Sequence, residues 1–255
     1  MTLDSVMEFY IRIMKTNCKN CAASFEGSYC NHCGQSAHTH RIDAHYLWED
    51  VEHGLLHYDK GIGYSLKRLF TKPGMEIRNY LMGKRVGHFR PISLSIILAT
   101  LYALVYHFTG VKIMNSGNEE SVLFLEKIMS HYYWYVLLTI PVFAFATKTA
   151  FRVKDYNFAE LVVFEAFKTS QRLLVHILFL PVLLLLHSAA VAIVTVNYLL
   201  IFIDFGLILW TNLTFFEGRT TSSIVWRTFL SYAIYTVCSF VLLAFVVVIL
   251  EYFKL

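Results

Sequence analysis

The sequence predicts an all-α polytopic membrane protein of about five transmembrane helices, with a small N-terminal zinc ribbon and cytoplasmic amphipathic helices. Three observations predict it. Of the 255 residues, 56% are hydrophobic and only 16% charged, with a mean hydropathy of +0.52; soluble domains carry about 25% charged residues. Long apolar runs dominate the chain from residue 91 onward. Four of the five cysteines fall between positions 18 and 33 as two Cys-x-x-Cys pairs. The composition excludes a soluble globular, a disordered or a fibrous protein.

Residues 1–15 are read as an N-terminal extension. Residues 1–14 contain acids and no cleavage site, so they do not form a signal peptide. Residues 16–40 form the ribbon. Cys18, Cys21, Cys30 and Cys33 are two knuckles separated by eight residues. Each pair lets two thiolates converge on one ion, and two pairs complete the closed tetrahedron that zinc prefers. One structural Zn²⁺ per chain is the expected cofactor. Two disulfides and an iron–sulfur cluster are the alternatives. Gly34, directly after Cys33, suits a turn that needs positive φ; Ala22 stands at the matching place after Cys21. His32, His38 and His40 read as surface residues. Among residues 1–42, Arg12, Lys15, Lys19 and Arg41 face Asp4, Glu8 and Glu26. That near balance argues against nucleic acid and for a protein partner or self-docking.

Residues 41–90 are read as amphipathic helices on the membrane surface. Asp43 and Asp59 are N-cap candidates. Leu47, Trp48, Val51 and Leu55 recur at helical spacing, as do Ile62, Leu66, Leu69 and Phe70, until Pro73-Gly74 breaks the pattern before Ile77 and Leu81. Eight basic residues against Glu76 alone lie in 60–90. Of these, Lys67, Arg68, Lys72, Arg78, Lys84 and Arg85 are the candidates for anionic headgroups.

Residues 91–255 are the transmembrane domain. Spanning a bilayer takes roughly 20 apolar residues. Spans are expected near 91–108, 131–147, 173–190, 196–216 and 228–250, with a tight turn around 190–195. Pro141 and Pro181 are expected to kink their spans. With the N-terminus inside, 19 of the 22 Lys and Arg residues lie in segments 1–90, 148–172 and 217–227. The positive-inside rule therefore puts the N-terminus in the cytoplasm and the C-terminus outside. The amphipathic stretch 155–172 leads into the third span. Its Glu160 and Glu165 are expected to pair with bases of 60–90 and so dock the N-terminal module on the core.

The string Cys30-Asn-His-Cys-Gly-Gln35, then Arg41-Ile42, Asp59-Lys-Gly61, Leu66, Pro73-Gly74, Ile77-Arg78, Tyr80-Leu81, Gly83-Lys84-Arg85 and Pro91, resembles the bacterial inner-membrane family filed as domain of unknown function three-six-six-seven. Tyr156 and Glu160-Leu-Val-Val-Phe164 resemble a second block of that family, with Leu161 where a histidine is common. The resemblance covers about residues 16–95 well and the remainder loosely. It implies an N-terminal zinc ribbon, a multi-span membrane domain and the bacterial inner membrane, and carries no activity. Members often begin just before the first cysteine, so the resemblance leaves the start at Met1 or Met14.

Ionisable residues inside spans are functional candidates by default. Asp204 and Asn197 lie two turns apart on one face, and His176 and His187 share a face of the third span. They could bind a cation, relay protons or fix packing. Three function classes follow. The first is a membrane scaffold or regulator whose cytoplasmic zinc ribbon and basic helices dock a protein partner. The second is a transporter or oligomeric pore built on Asp204, Asn197 and His187. The third is a lipid-modifying enzyme with Glu160 or a histidine beside Arg85. No phosphate-binding glycine loop, GxSxG elbow or HExxH motif occurs, so the first class is the expected one and catalytic residues are not assigned.

Overall fold

The computed structural model describes residues 16–54, 61–109, 132–186 and 190–253. In the ribbon, β1 (Thr16–Asn17) pairs antiparallel with β2 (Ser24–Phe25), and a bridge joins Tyr29 to Ser36. The second turn repeats the first twelve residues on. Cys18 N donates to Ala23 O at 2.9 Å, as Cys30 N does to Gln35 O at 2.8 Å. Ala22 N donates to Cys18 O, as Gly34 N does to Cys30 O.

Three short helices follow. The first, α1 (Ala44–Gly54), starts where Asp43 Oδ1 accepts from the Tyr46 N–H at 2.9 Å, so Asp43 caps it. Leu47 and Val51 pack on the core, but Trp48 is 70% exposed and lies off the packed face. Next come α2 (Ile62–Leu69) and α3 (Pro73–Leu81). Pro73 sits in the first turn of α3, where its missing N–H would have no partner anyway. Asp59 and Leu55 lie outside the described residues, as do residues 1–15.

Among the described residues five long helices follow: α4 (Pro91–Thr109), α5 (Tyr132–Phe151), α6 (Phe158–Leu185), α7 (Ala190–Phe215) and α8 (Thr221–Phe253). Four are long and apolar enough to cross a membrane, and the shorter apolar stretch Tyr135–Phe151 makes five. Pro141 and Pro181 lie inside α5 and α6.

The structure redraws two boundaries. Residues 158–172 and the third span as far as Leu185 are one continuous helix, α6, of 28 residues. At 1.5 Å per residue it is about 42 Å long, against a hydrocarbon core of about 30 Å. The turn expected at 190–195 is instead the start of α7. That stretch is Ala-Val-Ala-Ile-Val-Thr, with no glycine or proline to stop a helix.

Charges sit where helix dipoles favour them, and most come from the N-terminal module. The Asp50 carboxylate, fully buried, accepts from the N–H groups of Ile92 and Ser93 at 3.2 Å and caps α4. The Arg78 guanidinium donates to Thr214 O at 2.6 Å and Phe215 O at 2.7 Å, closing the C-terminus of α7, and pairs with Glu217. Arg227 donates to Ala150 O at 2.7 Å near the end of α5. Thus the module, the 152–157 turn and the 216–220 turn lie together at one end of the bundle.

Gly74 lets α3 sit on that end. A Cβ there would fall 2.2 Å from Thr214 C and 2.3 Å from Phe215 N. Gly74→Ala is expected to destabilise the fold by about 3 kcal/mol, because the obstacle is backbone and cannot rotate away. Gly63→Ala, with nothing within 4 Å of its Cβ, is expected to be neutral or stabilising by up to about 1 kcal/mol. Thermal unfolding of both variants in one detergent checks this; equal melting temperatures would refute it.

Candidate metal centre and the polar interior

The four thiols meet at one point. Their sulfurs all lie within 4.8 Å of one another, with Cys18 Sγ–Cys33 Sγ at 3.4 Å and Cys21 Sγ–Cys30 Sγ at 3.7 Å. A tetrahedral ion with Zn–S bonds of about 2.3 Å needs sulfurs about 3.8 Å apart. The quartet therefore fits a metal ion, held by all four thiolates with no protein ligand to spare. Burial pushes the Cys18 thiol up, but the backbone N–H groups of Cys21 and Asn20 outweigh it and bring it to about 7. The Ala23 N–H lowers Cys21, yet burial and the neighbouring sulfurs push it up to about 12. Four adjacent thiolates need a cation between them.

Both knuckles place their next residue in the left-handed region, Ala22 at φ +62° and Gly34 at φ +77°. The sequence suits only the second. An L-residue there costs roughly 1–2 kcal/mol, and a glycine loses part of that gain to chain entropy. Ala22→Gly is expected to stabilise the metal-bound ribbon by about 0.5–1 kcal/mol. Denaturant-induced metal release measures it, and an earlier midpoint in the variant would count against the strain.

The ribbon is tied to the bundle by side chains far apart in sequence. Arg41 meets Glu160 through Nε and Nη2, both at 2.7 Å, and donates to Asp155 O. Glu160 also completes a capping box with Asn157 at the start of α6, and Asn157 donates to Ile42 O at 2.7 Å. Arg85 lies over the rings of Tyr46 and Tyr80, at 4.7 and 5.5 Å, and donates to His40 O. The Tyr46 and Tyr80 hydroxyls share a hydrogen bond. Glu160 thus meets Arg41 and not a base of 60–90, and Glu165 faces inward. A cleft of about 330 Å³ remains between Lys19, His40, Arg41, Met82, Asp155 and Glu160.

Of the six basic residues singled out for headgroups, Lys67, Lys72 and Lys84 are exposed. Arg68, Arg78 and Arg85 hold protein partners instead. Arg68 Nη2 pairs with Glu76 at 2.6 Å, and His88 Nε2 lies 3.4 Å from the same carboxylate. His88 is packed among Tyr64, Tyr80 and Phe167. Burial lowers its pKa; Glu76 raises it and Arg68 lowers it further. A histidine lowered on folding contributes stability above its unfolded value of about 6.5, lost as pH falls below that. Wild type is therefore expected to lose stability from about pH 6.5 downward, and His88→Gln to flatten that slope. Melting temperatures at several pH values in this window test it; parallel curves would exclude His88 as the cause.

Inside the bundle the sequence reading missed a stripe. Glu165, Lys168, Arg172 and His176 recur at spacings of three, four and four on α6, one helical face. Lys168 and Arg172 had been counted with the loop charges. Lys168 Nζ lies 2.9 Å from Glu165 Oε1, with side chains 1% and 0% exposed. Its ammonium is 4.6 Å from the ring centres of both Phe143 and Phe164. Thr147 donates to Glu165 at 2.6 Å and touches Ser231. Further along, His176 Nε2 lies 3.1 Å from both Asp204 oxygens, and Arg172 Nη1 lies 4.0 Å from Asp204 Oδ2. Asn197 is half-buried and makes no hydrogen bond with Asp204; His187 lies outside the described residues. The 3-4-4 spacing was the signal that marked this face.

No curated protein and no solved structure matches the chain. Residues 59–103, from the end of the α1–α2 connection through α2 and α3 into α4, match the family described as "Protein of unknown function (DUF3667)", which bears out the resemblance read from the sequence.

Proposed function

We propose that the chain is an integral inner-membrane scaffold or regulator whose zinc ribbon and adjoining helices dock a protein partner. The placement of the ribbon carries this reading. Arg41 and Asn157 hold one side of the module to the bundle, while Tyr29 and Trp48 stay 67% and 70% exposed. Aromatic side chains are favoured anchors of protein interfaces. The four-thiolate geometry supports zinc at one ion per chain, and the basic-residue distribution supports a cytoplasmic N-terminus and an outside C-terminus. The exposed Lys67, Lys72 and Lys84 are the part of the basic set left for anionic lipid.

The test is a mild-detergent pull-down from native membranes with mass spectrometry. Wild type is compared with Cys30→Ser/Cys33→Ser and with Tyr29→Ala/Trp48→Ala, which leaves the thiols untouched. A stoichiometric partner lost in both variants supports docking. A homo-oligomer unchanged in both contradicts it. The Asp204–His176 contact favours a second reading, a transporter or oligomeric pore. Ion flux in liposomes that Asp204→Asn abolishes supports that one.

A further inference from the structure

The cleft of about 330 Å³ between ribbon and bundle has charges of both signs on its walls. The ribbon side brings Lys19 and Arg41. The bundle side brings Asp155 from the 152–157 turn and Glu160 from the start of α6. Leu81 and Met82, at the end of α3, add apolar surface. The lining thus carries two bases and two acids, with His40 counted neutral.

One of each sign is already used. Arg41 and Glu160 meet through two hydrogen bonds of 2.7 Å. The other two stay apart. Among the described residues Lys19 has no acid within 4 Å and Asp155 no base, although both line the same cleft. Lys19 is held in place. Its stem packs on Gly83, where a Cβ would fall 2.9 Å from Lys19 Cδ, and its Nζ donates to Thr39 O. An ammonium has three donors, so two remain. Arg41 Nη1 is left over by the contacts with Glu160 and Asp155 O. Across the cleft, the Asp155 carboxylate and the Tyr156 hydroxyl make no hydrogen bond with described residues. The Tyr156 ring rests against Phe215 at 5.2 Å.

These groups select a ligand class. A metal ion would face Lys19 and Arg41, and a bare anion would face Asp155 and Glu160, so each meets repulsion. A ligand with one charge of each sign and an apolar part satisfies both walls. The volume is at the small end of ligand sites.

We propose that this cleft binds a free α-amino acid with an apolar side chain. Its carboxylate accepts from Lys19 and Arg41 Nη1, and its ammonium donates to Asp155 and Tyr156. Its side chain lies on Leu81 and Met82, the latter a residue that adapts its shape. The two walls belong to ribbon and bundle, so the ligand binds only the docked ribbon and shifts the chain toward that state. The site goes beyond the docking of a protein partner and does not depend on it.

The full chain in lipid nanodiscs, dialysed to equilibrium against an equimolar mixture of the protein amino acids, tests this. Mass spectrometry quantifies what is retained, with empty nanodiscs as the blank. An apolar amino acid such as leucine or methionine is expected to be retained. Asp155→Asn, which keeps the carbonyl that Arg41 holds, and Lys19→Gln are each expected to weaken its binding about tenfold or more. The amine lacking its carboxylate and the acid lacking its ammonium are expected to bind as weakly. Lys19 adjoins Cys18, so if Lys19→Gln loses metal, Asp155→Asn alone decides. No retention above empty nanodiscs overturns the proposal. So does retention of acidic or basic amino acids only, or binding that Asp155→Asn leaves unchanged.

Discussion

Lys168→Met is expected to destabilise the bundle by about 3–5 kcal/mol, the loss typical of removing one partner of a buried pair. The Lys168 and Glu165 side chains are 1% and 0% exposed. Without the ammonium, Glu165 keeps only the Thr147 hydroxyl on Oε1, while Oε2 already has no hydrogen bond. An uncompensated carboxylate between membrane helices is costly. Removing both charges is different. Lys168→Met/Glu165→Gln leaves no ion, retains an acceptor for Thr147 and keeps apolar volume between Phe143 and Phe164. The double variant is therefore expected to recover most of the loss. Thermal unfolding of both variants in nanodiscs decides it. Equal destabilisation in single and double variants would assign the effect to packing and not to charge.

Cys30→Ser is expected to lower bound metal from one ion per chain to none and to unfold residues 16–40 while the bundle stays folded. The buried apolar side chains of the ribbon are Cys18, Phe25 and Cys30, with Cys21, Ala23, Cys33 and Ala37 packed on them. Four of those seven are the ligands themselves. Without an ion there is almost no apolar core, and structural zinc contributes on the order of 10–16 kcal/mol to such modules. Metal analysis of the purified chain and limited proteolysis with and without chelator measure both halves. Iron in place of zinc would sink the cofactor assignment, and a ribbon equally resistant with chelator would sink the structural role.

Periodic features were legible before any coordinates. The cysteine spacing marks the metal centre, Asp43 marks the start of α1, Pro73 marks α3, and the apolar runs mark the long helices. What stayed hidden depends on which face meets which. Trp48 has helical spacing with Leu47 and Val51, yet that spacing is wide enough to leave it outside the packed stripe. Arg68, Arg78 and Arg85 look like surface charges because their partners lie on other elements: Glu76 across the α2–α3 turn, the end of α7, and the tyrosines Tyr46 and Tyr80. Glu160 accepts from Arg41 and not from a base of 60–90. The charged stripe was obscured by density of charge: Glu165, Lys168 and Arg172 within eight residues resemble a wet segment unless their common face is noticed. At 190–195 small apolar residues imitate a turn in length alone.

The caps at the ribbon end also set an order of assembly. Arg41 finds Glu160 at a separation of 119 residues, and Gly74 finds Thr214 at 140. A ribosome making the chain from its N-terminus therefore releases the ribbon and the short helices long before their seats exist. Until α7 has been inserted, Arg78 has no helix end to close and Asp50 holds only α4. The docked state is then a late event of biosynthesis. It reports that the spans up to α7 have reached their places, so proteolytic sensitivity of residues 16–90 would serve as a timer for insertion as far as α7.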